Sequence, residues 1–213
     1  MDMLGVPLGA KLERIPSPSF LPRDEDIVEL LKSPDFDSRL QTLSRIISLS
    51  KRDSDWFTRF TKKGDLFKNL DRILTEDRWE VQHECVRFLY EAMPSFGSNL
   101  EYCMCYVMPH LVPKLGSSKI TIRKVTVQTL QRFTQQHPTA LPTVLKMIVN
   151  FVLGSPQQQN RHELLNEIQS LYQPYLQEGN WQNLVDGFTK WMAVADAETI
   201  QRIAVTLKKL EGE

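Results

Sequence analysis

The soft ligand atoms of this chain fall in two places, His83 with Cys85, and Cys103 with Cys105 and His110. A structural zinc site pairs such ligands a few residues apart and closes a tetrahedron with a second pair. On a helix Cys103 and Cys105 point to different faces, so neither group closes a site and no metal is expected. Buried cysteines are the simpler reading. A cysteine nucleophile would need a base held against it in a cleft, and no glycine-rich phosphate cradle is present. We therefore expect no cofactor and no enzyme. Three cysteines make no disulfide framework and fit a reducing compartment.

The chemistry left is non-covalent recognition, and the stretch Lys114 to Phe133 is where its residues gather. Leu111, Val112 and Leu115 close one apolar stripe, and Gly116 suits the left-handed residue that ends a helix. Ser117 or Ser118 suits the cap of the next helix. Ile122, Val125, Thr129, Leu130 and Phe133 then share a face at helical spacing. The turn between them carries Lys119, Arg123 and Lys124, which this reading leaves exposed. Such a turn is either ordinary surface or one tooth of a binding edge, and only the repeats can decide.

The elements that place that turn follow one another along the chain. Proline at 7, 16, 18 and 22 with glycine at 5 and 9 denies residues 1–22 a continuous helix, so they read as a flexible arm before one domain at 23–213. Ile27, Leu30 and Leu31 mark a short helix stopped at Ser33-Pro34. Leu40, Leu43, Ile46 and Ile47 mark a second, capped by Asp37 or Ser38. Trp56, Phe57 and Phe60 precede a helix through Leu66, Leu70, Ile73 and Leu74. Trp79 to Met93 is a helix with a wide apolar face, and Leu100 to Leu115 follows after a connector at Ser95 to Asn99. Four further apolar helical stretches run from Leu141 to Leu210. No stretch alternates with period two, so the chain reads as all-α.

The second helix of each pair begins near residue 37, 79, 119, 158 or 196, a spacing of about 40 residues that suits two-helix HEAT repeats. About five antiparallel pairs stacked as an α-solenoid would bring every turn inside a pair to one edge. That edge would hold Lys32 to Arg39, Asp77 to Glu80, Ser117 to Lys124, Ser155 to Arg161 and Ala195 to Glu198. Lysine plus arginine equals aspartate plus glutamate at 26 each, so any electrostatic preference is local and nucleic acid is not the expected partner. No run reaches the length of a signal core or a membrane span. A soluble intracellular monomer is the expectation. Phe36 suits either a surface anchor or packing beneath its own turn, and Trp79 suits either a contact or the rim of the core.

With those residues in view, the chain resembles the TOG domain, the tubulin-binding HEAT array of microtubule polymerases, CLASP proteins and crescerins. Phe36-Asp37-Ser38-Arg39-Leu40 stands where that family usually has Trp, two residues and Arg-Leu. His110 to Leu130 looks most like the crescerin type. The resemblance implies an edge that grips the tubulin heterodimer or the microtubule, in the cytoplasm and cytoskeleton and, for the crescerin type, the cilium. By that match Phe36 and Arg39 are the anchor, Arg78 and Trp79 the second turn, Lys119, Arg123 and Lys124 the third, and Arg161 the fourth. The chain departs from the family in having Phe for Trp, an acidic fifth turn at Asp196 and Glu198, and an end before a sixth repeat is complete. The other reading is a HEAT or armadillo-like adaptor that takes a peptide or helix in a groove.

Overall fold

The computed structural model describes residues 23–75 and 78–140 continuously, with isolated positions between 143 and 208. Every described element is helical: α1 (Asp24–Lys32), α2 (Phe36–Arg52), the single turn α3 (Trp56–Arg59), α4 (Lys63–Leu74), α5 (Trp79–Ala92), α6 (Leu100–Leu111) and α7 (Ile120–Gln136). Short 3-10 segments, Met93–Asn99, Val112–Gly116 and Pro138–Ala140, continue the chain between and after them. The readings for residues 1–22, for most of the fourth and fifth repeats and for Arg161, Asp196 and Glu198 lie outside the described residues.

The helices form two layers. In one, α1 packs on α4 and α4 on α6; in the other, α2 packs on α5 and α5 on α7. That is the stacking of a HEAT solenoid, and the period-3.6 stripes dictate it. Leu43, Ile46 and Ile47 of α2, Leu66, Leu70, Ile73 and Leu74 of α4, and Val81, Cys85, Val86 and Leu89 of α5 are all buried. Neither helix of a pair can cover such stripes alone, so each repeat completes the core of the next.

The edge at which one pair leads to the next is filled with rings. Trp56, Phe57, Phe60, Phe67, Phe88 and Phe96 are buried together, with Phe57 and Phe96 centroids 4.6 Å apart and Phe67 edge-on to both. Tilted and edge-to-face pairs of this kind add roughly 0.5 to 1.5 kcal/mol each beyond burial. Gly97, at φ 53°, turns the chain back toward α6 in a conformation that side chains resist.

Polar bonds tie equivalent positions of successive repeats. Arg72 Nη2 donates to the Leu31 carbonyl at 2.8 Å and Arg132 Nη1 to the Tyr90 carbonyl at 2.9 Å. Ser44 Oγ donates to Glu84 Oε1 at 2.8 Å, Lys51 reaches Glu91 at 2.8 Å, and His110 Nδ1 lies 2.6 Å from Asp71 Oδ1. These bonds fix the register between repeats, which non-directional apolar contact alone leaves loose.

Two boundaries differ from the sequence reading. The cap of α2 is Asp35, whose Oδ2 accepts from the Ser38 N–H at 2.8 Å and the Ser38 hydroxyl at 2.5 Å, so the helix begins at Phe36 rather than after Asp37. Gly116 does not adopt positive φ; Val112–Gly116 closes as a 3-10 turn and Ser117, at φ −59° and ψ 141°, carries the chain out in extended form.

Candidate turn edge

The N-termini of α2, α5 and α7 lie side by side, and their first residues are Phe36, Trp79 and Ile120. The residues just before them, Asp35, Arg78 and Lys119, occupy the N-cap positions. Arg78 places its guanidinium carbon 4.6 Å from the centroid of Phe36, one repeat back. Lys119 places its ammonium 5.1 Å from the centroid of Trp79, again one repeat back. The same step is thus taken twice along the edge, from an N-cap cation to the ring that opens the preceding second helix.

Exposure rises along the row. Phe36 is half-buried and packs against the core, Trp79 is 39% exposed and Ile120 53%. Of the two readings left open for each ring, Phe36 packs in part against the core, whereas Trp79 stands among the exposed large apolar side chains. Arg78, Lys119 and Lys124 are exposed. Among the described residues no carboxylate pairs with any of these three cations. Glu76 and Asp77, which precede Arg78, lie outside the described residues.

Arg39 and Arg123 behave otherwise, and here the expected exposure of Arg123 is corrected. They are 8% and 6% exposed. Arg39 Nη1 donates to the Ser33 carbonyl at 2.6 Å, and Arg123 Nη1 donates to the Ser117 carbonyl at 2.8 Å. Both arginines stand fourth in their helices and reach six residues back to the carbonyl at which the first helix of the pair ends. The guanidinium satisfies a helix-end acceptor and pins the turn. Repeat two has Gln82 at the same position, where its amide oxygen accepts from Lys114 Nζ at 3.1 Å. Burial holds that ammonium below the ordinary lysine range.

The third turn also lacks the expected serine cap. Lys119 is the N-cap of α7 and makes no side-chain cap bond, while Ser117 Oγ accepts the Lys119 N–H at 3.2 Å just outside the helix. No acidic residue lies in the first turn of α7, whereas α2 has Asp37 and α5 has Glu80 there. The edge therefore runs from an acid-capped end to a basic end. Sequence reasoning missed Asp35, Gln82, Lys114 and Ile120. Aligning the repeats on their helix starts would have exposed all but Lys114, because Asp35, Arg78 and Lys119, then Phe36, Trp79 and Ile120, then Arg39, Gln82 and Arg123 each share one column.

The thiols form no site among the described residues, where no group of three ligands lies together. Cys85 and Cys103 are buried, and burial pushes the Cys103 thiol up to about 12. Cys105 departs from the expectation of burial: it is exposed, on the outer face of α6, because the helix turns it away from the stripe that holds Cys103 and Met104. Away from the turn edge, a cavity of about 190 Å³ opens among Cys105, Met108, Phe133, Ala140, Val144 and Met147.

No family model matches the chain. The crescerin-like protein che-12 of Caenorhabditis elegans is 48% identical over 198 residues, which cover 93% of this chain and 15% of that protein. The chain thus spans a small part of the relative it matches. Among solved structures, the MAST/Orbit N-terminal domain superposes with a TM-score of 0.69 at 18% identity, covering 92% of this chain and 87% of that one. Sequence kinship and fold agree with the helical pairs and the aligned turns: the chain is a homologue of a crescerin-like protein over nearly all its own length, folded as a TOG-like array of HEAT repeats.

Proposed function

We propose that this chain binds tubulin, as the free heterodimer or in the microtubule, along the edge formed by its intra-pair turns, and acts on microtubule growth or stability without chemistry of its own. One observation carries the reading: Phe36, Trp79 and Ile120 stand in a row on that edge, interleaved with Arg78 and Lys119 and followed by Lys124. An apolar row flanked by cations suits an acidic protein surface that also offers apolar ground, because the rings supply desolvated contact and the cations steer approach. Kinship with a crescerin-like protein supports the choice of tubulin and a ciliary or cytoskeletal setting. Within the proposed edge Phe36, Arg78, Trp79, Lys119 and Lys124 are the contact residues, and Arg39 and Arg123 hold the turns that present them. Arg161 extends the same edge by sequence.

In this reading the chain acts as a monomer, with no role for nucleic acid or membrane. No helix among the described residues is long and apolar enough to cross a bilayer. The adaptor reading has one observation in its favour, the cavity that α6 and Phe133 form with residues 139–147. At about 190 Å³ it falls below the roughly 300 Å³ at which small-molecule pockets begin, and it suits one partner side chain rather than a helix. Gel filtration with soluble tubulin tests the proposal. Co-elution at low salt that weakens as salt is raised is expected, and wild-type protein that elutes apart from tubulin at low salt overturns it.

A further inference from the structure

We infer that Arg78 and Lys119, besides meeting the partner, act as positioning residues, each clamping the ring of the preceding repeat, so that Phe36 and Trp79 meet their partner as one coupled surface. The inference rests on the proposed edge for the identity of the partner, and on geometry for the coupling.

The geometry is a repeat of one motif. An N-cap residue has extended backbone, so its side chain leaves the helix axis sideways and can reach the neighbouring helix end. Arg78, at φ −78° and ψ 98°, and Lys119, at φ −88° and ψ 110°, both do so. Each lands over the first residue of the second helix one repeat back, at 4.6 and 5.1 Å. Both distances lie within the range in which a cation is drawn to the negative face of a ring. An N-cap is usually Ser, Thr, Asp or Asn, and a cation at the positive end of a helix is unfavourable. At both positions the sequence gives up a capping oxygen and accepts a like-charge helix end, and the ring contact is what those side chains gain.

A consequence concerns recognition. The Arg78 guanidinium is planar and can lie on Phe36 while its remaining N–H groups point outward, whereas an ammonium offers a point charge. The ring and the cation then form one composite surface, an apolar patch with donors at its rim, which fits a partner carboxylate beside apolar side chains. Because a cation of repeat two holds the ring of repeat one, and a cation of repeat three holds the ring of repeat two, loss of one clamp loosens its neighbour. Pre-ordered side chains lower the entropic cost of binding, so a loosened ring binds more weakly with its own atoms intact.

Two measurements test this. In the free protein, the Arg78 δ-protons should be shifted upfield by the ring current of Phe36 in NMR spectra and return to ordinary values in Phe36→Leu. With tubulin, Arg78→Lys keeps the charge and should still weaken binding about twofold to fivefold. Arg78→Ala and Phe36→Ala should also combine to less than the product of their separate effects. Arg78 protons at ordinary positions in the wild type, or Arg78→Lys binding like wild type with additive alanine variants, overturn the inference. A wild type that shows the ring shift yet fails to bind tubulin overturns the partner and leaves the clamp standing.

Discussion

The first and third turns of the edge share a skeleton and differ in everything attached to it. In both, an arginine fourth in the second helix donates to the last carbonyl before the turn, Arg39 to Ser33 and Arg123 to Ser117. Around that shared bond the first turn has the acidic cap Asp35, then Phe36 and Asp37, while the third has Lys119, Ile120 and Lys124. The position that holds the backbone is constant, and the positions that face outward vary. Arginine on this edge therefore has two meanings, and depth in the helix separates them: fourth place pins the turn, the N-cap place holds a ring.

The largest expected effects test the shared bond. Arg39→Ala and Arg123→Ala each remove a charge-assisted bond and leave a helix-end carbonyl unsatisfied, which should cost about 2 to 3 kcal/mol in denaturant unfolding. Gln82→Ala, at the same place in the second repeat, should cost about 1 kcal/mol, since only the bond with Lys114 is lost. Equal costs at all three positions would break the comparison. Charge reversal at Arg123, which an exposed side chain would tolerate, should instead unfold the turn.

The next effects test how the two turns differ. Phe36→Ala should weaken tubulin binding by about 2 kcal/mol, the cost of truncating an interface anchor, with little dependence on salt. Lys119→Glu with Lys124→Glu should weaken it by about 1 kcal/mol at low salt, and raised salt should narrow the difference, because both side chains are exposed and screened, to the part that Lys119 contributes by holding Trp79. Affinities measured by titration across a salt series check both. If Phe36→Ala proves salt-sensitive, or the lysine pair does not, the division of the edge into an apolar end and an electrostatic end fails.

Much of the architecture was legible because helical periodicity reports burial directly. Leu43, Ile46, Leu70, Leu89 and Leu130 lie where their spacing places them, in the core. The second helices were expected near 37, 79 and 119 and begin at Phe36, Trp79 and Ile120. The site was legible as a row and illegible as a set of roles. Arginine is charged, so its type suggests the surface, yet Arg39 and Arg123 are buried because a nearby carbonyl can accept their donors, and that carbonyl leaves no trace in residue type. Gly116 suggested a left-handed stop, and the 3-10 turn through Pro113 made that unnecessary. Cys105 differs from Cys103 by two places on one helix, which is enough to move it from core to solvent.

The smallest effect concerns the caps, and it follows from the same contrast. Asp35 is held below its ordinary value of 3.8, first by the hydrogen bond from the Ser38 hydroxyl and then by the Ser38 N–H. Its folded-state value is therefore lower than its unfolded one. Such a group contributes stability that is fully present above the unfolded value and is lost as pH falls through the folded one. The third turn offers no titrating cap, since Lys119 makes no cap bond. Thermal unfolding of wild type, Asp35→Asn and Asp35→Ala should thus rank in that order at neutral pH. As pH drops below the carboxylate range, wild type should converge on Asp35→Asn, which keeps an acceptor oxygen without the charge. Only this side chain differs among the three proteins, so the difference between the curves reports on it. A gap that stays constant into acid would mean that the cap acts through shape alone, and the contrast between a charged first turn and an uncapped third would lose its electrostatic content.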